Sequence, residues 1–122
     1  QDVMPTTLEL AGAQQPKHVF FKSLLSRLVQ TKSDASSRPY ESIYGSYLTL
    51  QRSITHDGWK LIIYPDAKVL RLYHLQHDPH ETIDLAGQPD HAKQMTQLFD
   101  RFVQLQRELK DPIDVTHLRP SK

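Results

Sequence analysis

The chain has 122 residues, enough for one domain with a modest core. Hydrophobic residues make up 38%, charged residues 24% and the net charge is +1, a soluble globular composition without the basic stripe that nucleic acid binding needs. No apolar run approaches the roughly eighteen residues of a membrane-spanning helix, and the lack of cysteine removes disulfides, thiolate nucleophiles and cysteine-ligated zinc.

The sequence begins without Met, as though already inside a helix, and is expected to be a piece cut from a longer protein. Asp2 to Ala11 reads as a short helix, with Asp2 as N-cap, Pro5 in the first turn and Gly12 just past the end. Val3, Leu8, Leu10 and Ala11 supply its apolar surface. A second short helix is expected from about Phe21 to Val29, where Leu24, Leu25, Leu28 and Val29 have helical spacing. "TKSDASSRP" is small, polar and unpatterned. It reads as a surface linker, so residues 1–36 and 37–122 are expected to be separate parts.

From Tyr44 the period becomes two. "YLTLQRSI" puts Leu48, Leu50, Arg52 and Ile54 on one face of a strand, with Tyr47, Thr49, Gln51 and Ser53 on the other. Asp57-Gly58 signals a hairpin, "WKLIIYP" a second strand closed by Pro65, "DAK" a turn and "VLRLYHLQ" a third strand ended by Asp78-Pro79. Trp59 shares a face with Leu61 and Ile63 and is read as a core aromatic rather than a cation–π platform beside Lys60. A helix is expected from about Pro89 to Lys110, with Met95, Leu98, Phe102, Leu105 and Leu109 on one face. Pro112 forbids its continuation, and the tail after Asp114 is expected to be loose. The fold class is therefore α+β: a small antiparallel sheet of three to four strands packed against a long C-terminal helix, preceded by short helices.

"LYHLQHDPHETIDLAG" gathers His74, His77, Asp78, His80, Glu81 and Asp84. A zinc site would need them to converge at about 2 Å, yet residues three apart on a strand point to opposite faces, and Pro79 imposes an extended or turn geometry. The turn reading is favoured, with Glu81 capping or pairing locally and the histidines solvated. There is no G-x-S-x-G and no phosphate-cradling glycine loop, and the carboxylates Asp78, Glu81 and Asp84 share one loop without evident burial. Residue types alone give a scaffold or binding domain with no catalytic residue and no metal ligand.

The order of motifs adds a resemblance. "DVMPTTLELAG" resembles the D-x-x-PT-x-x-x-LAG helix near the end of the catalytic domain of sulfatases in the alkaline-phosphatase-like superfamily. "FFKSLLSRL" is similar to the S-L-x-P-L-L element after it. "QRSITHDGWKLIIYP" resembles the R-x-x-R-x-x-x-W/Y-K-L-I hairpin, and "LRLYHLQHDPHETIDLAGQP" the run x-E-L-Y-D-L-x-x-D-P-x-E-x-x-N-L-A-x-x-P. These cover about residues 1–90 in the family order. Departures are His74 for the usual Asp, Asp84 for the usual Asn, and His56-Asp57 where Thr/Asn and Gly/Asp are frequent.

The resemblance implies the C-terminal portion of a sulfuric ester hydrolase: residues 1–36 the tail of the catalytic domain with a linker, residues 37–122 a non-catalytic subdomain packed against that domain. The alternative is an independent protein- or glycan-binding α+β domain. The resemblance also implies a periplasmic or secreted protein, acting on a sulfate ester through a formylglycine and a divalent cation, usually calcium, held by the catalytic domain. No cofactor is implied in this fragment, which has no C/S-x-P-x-R motif. If any residue here lines the substrate pocket, the expectation falls on Arg52 and His56, then Tyr44 and Tyr47, since an arginine grips anionic groups bidentately; the competing reading is that Arg52 pairs within the sheet. Apolar residues of the first thirty positions should not stay in water. They are expected to fold onto the sheet or to meet a second copy, so self-association of the fragment is also anticipated.

Overall fold

The structure, a computed structural model, describes residues 2–29 and 40–120. The expected linker at residues 31–39 lies outside the described residues. The chain divides into two compact units, Gln1–Pro39 and Tyr40–Lys122.

The first unit holds α1, Val3–Leu10, and α2, Leu25–Leu28. Asp2 stands at the N-cap position of α1 in helical conformation and makes no side-chain cap. The side chain that organises this unit is Thr6. Its hydroxyl donates to the Asp2 carbonyl at 2.5 Å and accepts the Leu24 N–H at 2.9 Å, tying the start of α1 to the start of α2. Gly12 follows α1 with φ +67°, the left-handed residue that ends many helices. The second helix is one turn, shorter than the nine residues expected, and begins only at Leu25. The Gln15 amide holds the carbonyls of Val19 and Phe21 at 2.7 and 2.9 Å, which fixes that stretch as extended loop rather than helix. Val3, Leu10, Leu28 and Val29 remain exposed.

The second unit is a four-stranded antiparallel meander, β1 Ser42–Tyr47, β2 Gln51–His56, β3 Trp59–Tyr64 and β4 Val69–His74, in that spatial order. Asp57 and Gly58 both have positive φ, 46° and 77°, the geometry of the two-residue turn whose twist matches the flanking strands. Lys68, at φ +53°, closes the next turn by donating its N–H to the Pro65 carbonyl. One expectation fails here. The alternating run through Leu48 and Leu50 is not continuous strand: Leu48 turns left-handed at φ +47°, and the Leu50 N–H bonds the Tyr47 carbonyl at 3.1 Å. Leu48 and Leu50 therefore sit exposed at a hairpin tip, and the single expected strand is two. No Gly, Pro, Asn or Asp marks that turn, so alternation alone ran straight through it.

Registers Tyr44↔Ile54, Ile54↔Leu61 and Leu61↔Leu72 place these four residues in one row across the sheet. Onto that face packs α3, Ala92–Glu108, preceded by a short 3-10 turn at Pro89–His91. Ile54, Leu61, Ile63, Leu72, Leu98, Phe99, Phe102 and Val115 form the core. Phe99 joins the expected Leu98 and Phe102, while Leu109 lies beyond the helix and is partly exposed. Each large side chain buried here is worth about 1.5–3 kcal/mol. Trp59 packs at the margin of this core, as its strand position predicts. The tail is not loose: Val115 is fully buried, the Asp114 carboxylate caps the turn at Thr116, and Arg119 pairs with Asp100 at 2.7 Å. Pro112 stops the helix, but the chain then folds back over it, because a Gln106 amide buried in α3 donates to the Ile113 carbonyl.

Candidate functional site

The residues singled out in sequence are not brought to one place. Arg52 and Tyr44 do meet, on Asp111, just beyond α3. The Arg52 Nε and Nη2 donate to the two Asp111 oxygens at 2.5 and 3.2 Å, and the Tyr44 hydroxyl donates to one of them at 2.6 Å. The remaining guanidinium nitrogen donates to the carbonyls of Leu48 and Gln51 at 2.7 and 2.9 Å, so Arg52 also holds the β1–β2 turn. Arg52 is only 4% exposed, and the Tyr44 ring stacks on Phe102 at 5.1 Å. Burial by itself would raise the Asp111 carboxyl, but hydrogen bonds from Arg52, Tyr44 and the Ile113 N–H outweigh it and hold the group below the usual carboxylate range. Burial and the adjacent Asp111 push the Tyr44 phenol well up, so it remains a neutral donor. The sequence did carry a signal for Asp111: an arginine alternating with Ile54 on the core face requires a carboxylate partner.

His56 lies at the other end of the hairpin, opposite Ser42 in register. Its Nδ1 is 3.0 Å from the Ser42 hydroxyl and 3.0 Å from the Glu41 carbonyl. Arg101, from α3, donates to Ser42 Oγ at 3.2 Å and to the Glu41 carboxylate at 2.8 Å. Glu41, His56 and Arg101, with Asp57, Gln94, Gln97 and Leu98, line an open cavity of about 400 Å³. Sequence reasoning missed Glu41 and Arg101, which are far apart in the chain and unremarkable by type. Tyr47 pairs with Gln51, five residues along β1 from Ser42, about 17 Å away at strand rise and on the opposite face from His56.

The polar stretch after β4 is built as a clamp. His74 stacks on His77 at 4.1 Å between ring centroids and meets the edge of Trp59 at 4.3 Å. Asp78 accepts the Ile83 N–H at 2.8 Å and the Thr82 hydroxyl at 3.0 Å; these bonds, the Ile83 N–H foremost, lower its carboxyl. Glu81, at φ +55°, does not pair locally but reaches Lys60 on β3, whose Nζ lies 2.6 and 2.8 Å from its two oxygens. Asp84 accepts the N–H groups of Leu72 and Ala86, both at 3.0 Å, and receives Arg71 at 3.0 Å. Its burial would raise the carboxyl, and those three donors together lower it. Each carboxylate is thus spent on the turn's own backbone or on a strand cation.

The described residues offer no calcium site, and no serine of the sequence stands in the C/S-x-P-x-R context of a formylglycine precursor. The sequence has no cysteine, and among the described residues no group of three or more His, Cys, Asp or Glu converges as a metal site. No helix among the described residues is long and apolar enough to cross a membrane.

Comparison with known proteins places this architecture. The chain is 30% identical over 107 residues to an arylsulfatase K of Xenopus laevis, an alignment covering 77% of this chain and 20% of that protein. It spans, therefore, about a fifth of the length of the curated relative it matches. A protein solved with its substrate D-glucosamine-2-N,6-O-disulfate superposes with a TM-score of 0.75 and 25% identity, over 91% of this chain and 24% of the other. A putative sulfatase from Bacteroides thetaiotaomicron shares the fold, with a TM-score of 0.74 and 23% identity over 99% of this chain and 28% of its own. The family profile described as N-sulphoglucosamine sulphohydrolase, C-terminal, matches residues 1–108, and the chain belongs to that family of C-terminal sulfatase domains.

Proposed function

We propose that this chain is the C-terminal, non-catalytic segment of a sulfuric ester hydrolase. In this reading residues 1–36 are the tail of a catalytic domain with its linker, and residues 37–122 form a subdomain packed on that domain. The observation that carries it is the family match, which runs through both units, from residue 1 to 108. The exposed Val3, Leu10, Leu28 and Val29 agree with it, since apolar side chains of this size favour a protein surface over water. The catalytic domain supplies the formylglycine and the calcium ion, and the full protein works in the periplasm or outside the cell. The solved relative with D-glucosamine-2-N,6-O-disulfate supports a sulfated sugar as substrate class.

Within the segment, the four residues divide by role. His56 faces the open cavity with Arg101 and contacts substrate or its flanking sugar. Arg52 and Tyr44 position the β1–β2 hairpin through Asp111, and Tyr47 is the outlying member of the set.

The test compares the 122-residue chain with the longer protein. The chain alone should turn over no aryl sulfate or sulfated sugar, with or without calcium, while the longer protein should. In the longer protein His56→Ala should raise KM for a sulfated sugar and leave kcat on a small aryl sulfate unchanged. Turnover by the purified chain, abolished by a substitution within it, overturns the assignment. An unchanged KM in the His56 variant removes only the pocket role.

A further inference from the structure

The two edges of the sheet are treated differently. The outer edge of β4 is closed by its own chain: Leu85 donates its N–H to the Leu72 carbonyl at 2.8 Å, and the Leu72 N–H is taken by Asp84 at 3.0 Å. Among the described residues, no backbone bond reaches the outer edge of β1. Natural edges of this kind are guarded by lysines, prolines, bulges or inward charges. Here "SIYGSYLTLQ", Ser42 to Gln51, has no charge and no proline, and β1 pairs with β2 residue for residue without a bulge. Ile43 and Tyr47, on the face away from α3, are 55% and 62% exposed.

The sequence of that edge is self-complementary. An antiparallel pairing of two β1 strands about a two-fold axis at Gly45 sets Ile43 opposite Tyr47 of the second copy, twice. Aromatic against β-branched is among the favourable cross-strand pairs. Tyr44 falls opposite Ser46, the side-chain-free Gly45 lies on the axis, and no like charges face each other. A net charge of +1 on the whole chain opposes association little.

We infer that the β1 edge, unpaired among the described residues, is a self-association surface, at which two copies of this chain pair β1 to β1 about Gly45 and form a continuous eight-stranded sheet. The inference stands on the edge alone and does not depend on the sulfatase reading. The isologous geometry gives a closed dimer rather than a fibre, because pairing uses up the open edge of each copy.

The absence of native cysteine makes the register directly readable. Ile43→Cys and Tyr47→Cys chains are prepared separately, then mixed under diamide. Directly opposed residues in an antiparallel pair are about 4.5–5.5 Å apart at Cα, within disulfide reach. The mixture should give a covalent heterodimer, and either variant alone should give far less. Gly45 is left untouched, since a Cβ there would meet the Ser53 hydroxyl at 2.5 Å. Sedimentation velocity on the unmodified chain should show a concentration-dependent dimer. Ile43→Lys, a change at an exposed position, should weaken it about tenfold or more by placing a charge in the pair. Val69→Lys, on the other edge, should leave it intact. A monomer at all concentrations, cross-linking no greater in the mixture than in either variant alone, or a dimer indifferent to Ile43→Lys overturns the inference.

Discussion

Arg52 on β2 and Asp111 beyond α3 form a buried ion pair, 59 residues apart in sequence and 2.5 Å apart in space. Their side chains are 5% and 9% exposed. The pair joins the first hairpin to the end of the long helix, and Tyr44 completes it. Removing one partner strands the other's charge in a buried site. Asp111→Ala should therefore cost about 3–5 kcal/mol, well above the cost of breaking a surface pair. Urea unfolding tracked by circular dichroism measures it. A loss under about 1 kcal/mol would mean that solvent reaches Arg52 freely.

The lowered carboxyls of Asp84 and Asp111, the two of the lowered group that are partly buried, contribute to the acid stability of the fold. A carboxylate whose folded pKa lies below its unfolded value stabilises the fold above the unfolded value, about 3.9 for Asp, and the contribution is lost as pH falls through the folded value. The stability these two groups supply should thus be intact from neutral pH to about 5 and be lost progressively below about 4. Asp84→Asn should lower stability at pH 7 and flatten that acid limb. A variant with an unchanged slope between about pH 5 and 2 would show that Asp84 is not linked to folding. Thermal melts across the range decide the matter.

Leu48 sits in left-handed conformation at an exposed hairpin tip, a geometry that costs a branched side chain roughly 1–2 kcal/mol. Leu48→Asn should stabilise the protein by about 0.5–1 kcal/mol, since asparagine tolerates that conformation and little burial is forfeited. A destabilised variant would show that Leu48 is held by contacts outside the turn. Denaturant midpoints at constant m-value give the sign.

Val115→Ala tests whether the C-terminal segment belongs to the core. Val115 is fully buried against it, so truncation should cost about 1.5–3 kcal/mol and increase hydrogen exchange in the tail. A neutral result would restore the loose tail that the sequence suggests.

Local sequence was enough for most of the element types, the second helix and the first hairpin excepted, and for the family order of the motifs. Asp57-Gly58 specified one hairpin, because few residues take two successive positive φ angles. The period of Leu98, Phe102 and Leu105 specified the helix and its buried side, because 3.6 residues make a turn. "HDPHETID" was legible as a turn, since proline forbids the continuation of a strand. Long-range contacts settled the rest. The hairpin tip at Leu48 has no local marker; Arg52 holds the Leu48 and Gln51 carbonyls while itself anchored by Asp111 from beyond the helix. The tail folds back because Val115 has a hydrophobic slot and Ile113 a buried donor waiting, neither visible in a polar C-terminal string. Of the four residues expected at a pocket, Arg52 and Tyr44 meet on Asp111 while His56 and Tyr47 lie apart from them and from each other, for a related reason. Alternation tells which face a side chain takes, but only pairing register and the partner across the sheet tell which end of the strand it occupies and what already holds it.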